Sequence, residues 1–253
     1  MPIQKNEALV LKRRDFRETS LIAEFYTRDF GKVNGLLKGF RAEPAKFAST
    51  LEPFSYNEII FYKKNNSSLH LVSQCDAKEN FAPLRNNIAK CMVASFMMEL
   101  LAALMPLEDS NGQAFDLALE CLQELKNTGN PEKIATIFKI KMLAISGFKP
   151  HLDSCLSCGS RILGQSKFSL TLGGLLCEGC FRKDPAARSI FRGSIASILH
   201  IEKNDFRSNL NLGMNPQVKK ELDFVLNTFL NFHLERELNS QRFMERLNGR
   251  DKT

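Results

Sequence analysis

Cys155-Leu156-Ser157-Cys158 and Cys177-Glu178-Gly179-Cys180, two knuckles of the form Cys-x-x-Cys with 18 residues between them, organise the reading of this chain. A two-residue gap lets both thiolates of a knuckle turn toward one centre. A second knuckle about 15–20 residues away completes a tetrahedral sulfur shell through the return of a short hairpin. Gly159 follows the first knuckle, Gly173 and Gly174 precede the second, and Gly179 lies inside it, as tight turns around thiolates require. Disulfides, iron–sulfur ligation and four unrelated cysteines are the competing readings. The opening MetProIleGlnLysAsnGluAla has no apolar leader, which points to a reducing compartment and away from disulfides. Two symmetric pairs suit Zn²⁺, so the expectation is one structural Zn²⁺ on Cys155, Cys158, Cys177 and Cys180. Four cysteine ligands leave no open position for chemistry.

Outward from this module, 253 residues with 43% hydrophobic and 25% charged content describe an ordinary globular chain that can hold one large domain or two to three small ones. The most apolar stretch, Cys91–Leu107, carries Ser95 and Glu99 and ends around Pro106. It is too short and too polar for a membrane span and reads as a buried helix. Cys75, Cys91 and Cys121 stand alone and read as small apolar residues. The expected location is the cytoplasm, without membrane attachment. The net charge is +7, and the basic excess falls on both flanks while residues 81–150 are neutral. Such a balance is compatible with a nucleic-acid partner.

Toward the N-terminus, five short β-type runs appear at Ala8–Leu11, Leu21–Tyr26, Lys32–Leu37, Tyr56–Tyr62 and Leu69–Ser73. Leu21, Ala23 and Phe25 alternate with Ile22, Glu24 and Tyr26, the pattern of a half-buried strand. Glycines at 31, 35 and 39 and the stretch Asn65–Ser68 punctuate the runs. Five strands in about 75 residues predict a small closed barrel of the oligonucleotide-binding (OB) type, whose ligands cross strands 2 and 3 between loops 1–2 and 4–5. The cations fall there: Arg13, Arg14 and Arg17 in an expected loop 1–2 of Lys12–Arg17, Lys32, Lys38, Arg41 and Lys46 on strand 3 and its exit, and Lys63 and Lys64 opening loop 4–5. Phe40 is a candidate stacking platform for a base. The competing reading makes the charges solvated and Phe16, Phe40 and Phe47 core.

From Ala82 the period becomes helical, with Met92, Phe96, Leu100 and Leu104 on one stripe. Further helices are expected from Gln113 to Lys126, after Asn130-Pro131 to Gly147, weakly at Ile190–Leu199, strongly after Pro216 and again at Ser240–Leu247. Val218, Leu222, Val225, Phe229 and Phe232 form the stripe of the long C-terminal helix. Met97 and Met98 read as core. The fold expected is α+β and multidomain: a five-stranded OB-type barrel at 1–80, then an α-helical domain at 81–253 carrying the four-cysteine zinc finger at about 152–183.

No phosphate loop, dinucleotide fingerprint, HExxH or GxSxG motif occurs. A zinc deaminase would need a proline where Ser154 stands. His70, His151, His200 and His233 are scattered, and nothing pairs two carboxylates. The expected protein is not an enzyme.

GluAlaLeuValLeuLys (7–12), AspPheArgGluThrSer (15–20), TyrThrArgAspPheGlyLysVal (26–33), LysGlyPheArg (38–41) and LeuGluProPhe (51–54) together resemble the RecO family of recombination mediators. LeuGlyGlyLeuLeuCysGluGlyCys (172–180) and LeuAsnSerGlnArgPheMetGluArgLeu (238–247) resemble its zinc-finger and C-terminal patterns. The resemblance implies a bacterial, nucleoid-associated DNA-repair protein that binds single- and double-stranded DNA and anneals complementary strands. It also implies loading of the RecA recombinase onto strands coated by single-strand binding protein (SSB), with RecR and the acidic SSB tail as partners. Arg14, Arg17, Lys38 and Arg41 fall in the family's basic barrel stretches, and the four cysteines match its zinc ligands. Residues 40–46, PheArgAlaGluProAlaLys, are less basic than the family's usual run because of Glu43. The alternative is a zinc-stapled protein-interaction module, such as a transcription or ribosome-associated factor, without annealing activity.

Overall fold

The computed structural model describes residues 2–43 and 47–250. The chain forms two compact units, one made of the residues up to Phe138 together with those from Leu238 onward, the other of Lys139–Glu237.

The first unit is built on a closed barrel of five strands, β1 (Ile3–Phe16), β2 (Ser20–Thr27), β3 (Gly31–Leu37), β4 (Tyr56–Tyr62) and β5 (Leu69–Glu79), in the order β1-β2-β3-β5-β4. All pairs are antiparallel except β3 with β5. Ala8, Val10, Leu21, Ala23, Phe25, Val33, Leu37, Ile59, Phe61, Val72 and Cys75 belong to the core cluster of the barrel, with Phe47 and Leu51. The strand positions come directly from the period-2 pattern, and the five-stranded OB-type barrel expected from it is present.

Three expectations needed correction. β1 does not end at Leu11 but continues to Phe16, paired with β2 through Arg14↔Ile22 and Phe16↔Ser20. The expected loop Lys12–Arg17 is therefore mostly strand, and the turn is short, with Arg17 at φ +55°. Charged residues at 12–15 break the apolar alternation, so only the hydrogen-bond ladder reveals the strand. β5 likewise runs on to Glu79, past the expected Ser73. Finally, β2 is buried on both faces. Ile22 and Tyr26 are buried on the side opposite Phe25, and the Tyr26 hydroxyl donates to the Asn111 carbonyl at 3.4 Å.

The chain continues into α1 (Ala82–Arg85), α2 (Ile88–Leu104), α3 (Gly112–Asn127) and the start of α4 (Pro131–Ile145), and α2 and α3 meet the barrel where Lys32 donates to the Ala102 carbonyl at 2.7 Å and Arg28 to Asp116 at 2.6 Å. Asn87, Asn111 and Asn130 accept from the N–H groups of Lys90, Ala114 and Lys133 at 3.0–3.2 Å, which fixes where each helix begins. Met97 and Met98 are core. α8 (Asn239–Arg250) returns to α2, where the Glu99 carboxylate accepts from the Asn239 N–H at 3.0 Å and the Ser240 N–H at 2.8 Å. The acid that interrupts the apolar run 91–107 is thus the cap of a helix 140 residues away.

The second unit contains the end of α4, a small sheet in the order β7-β6-β8 (β6 Ser166–Ser169, β7 Gly174–Cys177, β8 Arg188–Ser189), a 3-10 helix (Glu178–Lys183), α5 (Arg192–Lys203), α6 (Phe206–Leu210) and α7 (Pro216–Leu234). Val218, Leu222, Val225 and Phe229 are buried as their stripe predicts, whereas Phe232 is exposed. Leu226 and Leu230 complete the buried face of α7. Lys141 lies within the apolar stripe of α4 because its ammonium donates to the Glu202 carbonyl at 3.0 Å and to that of Asn204, closing the C-terminal end of α5.

Gly31 sets a hard constraint on the first unit. Its φ is +64°, and a Cβ there would stand 2.0 Å from the Asp109 carbonyl oxygen. Gly31→Ala should lower the unfolding free energy by more than about 2 kcal/mol, from the left-handed penalty and the backbone clash together, read as a shift of the urea midpoint. Glu99→Ala should cost about 1 kcal/mol and abolish hydrogen-exchange protection in α8 while leaving the barrel strands protected.

Candidate metal centre and basic barrel face

Cys155 and Cys158 flank a turn closed by Gly159, which takes φ +71° and donates to the Cys155 carbonyl at 2.8 Å. The β6–β7 hairpin then delivers Cys177 at the end of β7 and Cys180 in the following 3-10 helix. The four Sγ atoms lie within 4.8 Å of one another, with Cys158 and Cys177 3.7 Å apart. Four sulfurs about 2.3 Å from one tetrahedral ion stand about 3.8 Å from each other, whereas a disulfide needs about 2.05 Å. The cluster therefore has the dimensions of a metal shell.

Its electrostatics ask for a cation. Burial opposes ionisation of Cys155, but the N–H groups of Cys177, Cys158 and Ser157 outweigh it and bring the thiol down to about 6. The Ser160 side chain and N–H favour the Cys158 thiolate. Cys180 goes the other way: a hydrogen bond with Ser157 lowers its pKa, but burial and the three neighbouring sulfurs push it up to about 11. Thiolates this close cannot all carry charge until a dication neutralises them. His151 is no ligand; its Nε2 meets the Ser154 hydroxyl at 2.8 Å.

On the barrel, strand β1 displays Lys12, Arg13 and Arg14. These line a cleft of about 400 Å³ with Ile22 and Glu24 of β2, Asn34 of β3, and Ser68 and Leu69 where β5 begins. Lys12 pairs with Glu24 at 3.0 Å. Arg13 donates to Glu52 at 2.7 Å and to the Thr50 carbonyl at 2.5 Å. Arg14 is exposed and makes no ion pair or hydrogen bond among the described residues. Arg17 and Arg41 meet at the β1–β2 turn, where the Arg41 guanidinium donates to the Arg17 carbonyl at 2.8 Å and lies 3.4 Å from Asp15. Lys38 is exposed.

The other candidates are placed differently. Lys32 is half-buried and donates to the Ala102 carbonyl of α2 at 2.7 Å. Lys63 stands 5.5 Å over the Phe30 ring and 3.7 Å from Glu108. The Lys64 N–H bonds to His70 Nδ1 at 3.2 Å. Phe40 is half-buried, packed on the barrel core with its ring 5.4 Å from Phe47. Lys46 lies outside the described residues. Asn34 and Ser68 line the cleft without having been singled out from the sequence; Asn34 was recoverable from its outward position between Val33 and Gly35, Ser68 only from the fold.

Family models for the N-terminal and C-terminal parts of recombination protein O match residues 1–81 and 85–242. The chain belongs to the RecO family. It is 30% identical to the DNA repair protein RecO of Alkaliphilus metalliredigens (strain QYMF) over 92% of this chain and 94% of that one. It is 29% identical to the protein of the same name from Shouchella clausii (strain KSM-K16), over 97% of this chain and 95% of that one. With that from Desulforamulus reducens the identity is 28%, over 98% and 96%. The two RecO models meet between Phe81 and Arg85, at the end of the barrel. Among the described residues no helix is long and apolar enough to cross a membrane.

One metal ion per chain should appear in native mass spectrometry, and Cys155→Ser should lose it. Metal binding displaces the protons that the thiols still carry, that of Cys180 above all, so metal retention should weaken progressively as pH falls below 7.5, followed with a chromogenic chelator.

Proposed function

We propose that this protein is a DNA-repair mediator that binds single- and double-stranded DNA, anneals complementary strands and helps place RecA on SSB-coated DNA in a RecF-type pathway. Residues 1–80 act as the nucleic-acid-binding domain, and residues 81–253 form the helical domain with one structural Zn²⁺ on Cys155, Cys158, Cys177 and Cys180. RecR and the SSB tail are its protein partners. The observation that carries the reading is the open polar cleft on the barrel, with Lys12, Arg13 and Arg14 along one side. A strand lying across β1–β3 would set phosphates against these cations and against Arg17, Lys38 and Arg41. Family membership supports the same assignment.

The mechanism is charge neutralisation. Two single strands repel one another, and a surface that holds both while their bases pair lowers that barrier. Pairing itself runs downhill, so no nucleotide hydrolysis and no catalytic side chain is required. Arg14 is the strongest contributor in this scheme because its guanidinium gives up no internal partner on binding. Arg13 and Arg41 must exchange a carboxylate for a phosphate. Lys32, tied to α2, plays no part in it.

Annealing of two labelled complementary oligonucleotides, across a salt series, without nucleotide and with or without SSB, tests the proposal. Annealing should survive SSB and weaken steeply with salt. Arg14→Ala should weaken single-strand binding several-fold and reduce the log–log salt slope by about 0.7. Salt-insensitive binding and no annealing, in protein that retains its metal, would replace this reading with that of a protein-interaction module.

A further inference from the structure

The four sulfurs of the metal shell differ in exposure. Cys155 is 1% exposed, packed with Leu176 and Ala187, and its Sγ accepts the Cys177 N–H at 3.4 Å. Cys177 and Cys180 are half-buried, whereas Cys158 lies in a run, residues 156–161, that is exposed throughout. The Ser160 hydroxyl is 2.9 Å from the Cys158 sulfur and 4.0 Å from that of Cys177. Cys158 and Cys177, one from each knuckle, thus share a polar flank open to water, while Cys155 sits against apolar side chains.

A cysteine answers to a peroxide according to its access, and what it becomes depends on whether a second sulfur stands beside it. Cys158 is the sulfur that an oxidant in water meets first. Cys177 is 3.7 Å from it, so a resolving sulfur is already almost in contact. Closing that gap to the length of a disulfide, about 2.05 Å, asks only for a small movement of the exposed turn. The cysteines outside the shell do not compete, since Cys75 and Cys121 are buried and Cys91 is half-buried on α2.

We propose, on the basis of the metal reading above, that the shell is a peroxide-sensitive switch in which Cys158 is oxidised first and Cys177 closes a disulfide onto it. The Cys158 thiolate attacks one peroxide oxygen, the O–O bond breaks, and a sulfenic acid and a hydroxide result. The Cys177 thiolate then attacks the Cys158 sulfur and displaces a second hydroxide. The two thiolates supply the two electrons that the peroxide takes up. Cys155 and Cys180 are left, too few to complete a tetrahedral shell.

The new bond joins the two knuckles, as a shared ion does, so the β6–β7 hairpin stays fastened in both forms. What comes loose is the 3-10 helix Glu178–Lys183, whose anchor at Cys180 is lost. A disulfide within one knuckle would leave the two knuckles unlinked.

Hydrogen peroxide in modest excess, added to the zinc-loaded full chain, tests the switch. A chromogenic chelator should register release of the zinc, and peptide mapping should find a Cys158–Cys177 disulfide. A sulfenic-acid trap present during oxidation should label Cys158 several-fold more than Cys155. Amide exchange should quicken several-fold at residues 178–183 while β6 and β7 stay protected, and dithiothreitol with fresh zinc should reverse both changes. Cys91→Ser should release zinc as the unaltered chain does. Zinc retained under peroxide, a disulfide within one knuckle, or Cys158 ending as a sulfinic acid overturns the proposal. A reduced chain that holds no zinc at all would remove the metal reading, and the switch with it.

Discussion

Strand β1 serves two partners, and the first unit depends on it. Residues 3–9 pair with β4 and residues 8–16 with β2, so one strand of 14 residues closes the barrel. A register shift between Val10 and Lys12 lets the strand bend from one partner to the other. The two halves have different chemistry. The first carries Glu7, which burial alone would push toward neutrality. Hydrogen bonds from Lys78, Tyr56 and Arg28 prevail and hold its carboxyl near 2. The second half carries Lys12, Arg13 and Arg14, beyond the reach of β4, with side chains open to solvent. The pairing that builds the barrel is what lines up these cations along one side of its cleft.

The sulfur cluster imposes a second, separate constraint. The core beneath it is small: Cys155, Leu176 and Ala187, with Ile162 and Phe181 packed against them. So little apolar area cannot order a segment of this length alone. The turns at Gly159 and Gly173 and the β6–β7 hairpin bring four sulfurs to one point, where a single ion would provide what the core lacks. β6 of that hairpin also pairs with β8, so order at the sulfur cluster and order of the small sheet share one piece of backbone.

Much of this was legible in the residues, for identifiable reasons. Val33, Gly35 and Leu37 alternate cleanly with Lys32, Asn34 and Leu36, so β3 and its inward face could be read directly. The metal shell could be read because two-residue knuckles leave few other uses for four cysteines. Three features were hidden. The charged half of β1 has no apolar period, and its pairing with β2 is a backbone property. Phe40 could be read as a stacking platform or as core, and its contact with Phe47, which decides for core, depends on the fold of the segment after β3. Lys32 resembled a surface cation of the barrel, yet it serves the Ala102 carbonyl of α2, and Lys141 likewise serves carbonyls at the end of α5. Cations tied to main-chain oxygens leave no pattern in a sequence, because any residue supplies the carbonyl.

The capping of α8 by Glu99 has a consequence for how the chain is made. The unit that begins with the first strand is completed only by residues after Leu238, with Lys139–Glu237 synthesised in between. During translation the barrel and α2 are available long before their last helix leaves the ribosome. The intervening unit, with its four clustered cysteines, is continuous in sequence. A chain cut back to residue 237 would keep the barrel strands and the whole of that unit while leaving Glu99 without the backbone donors of α8.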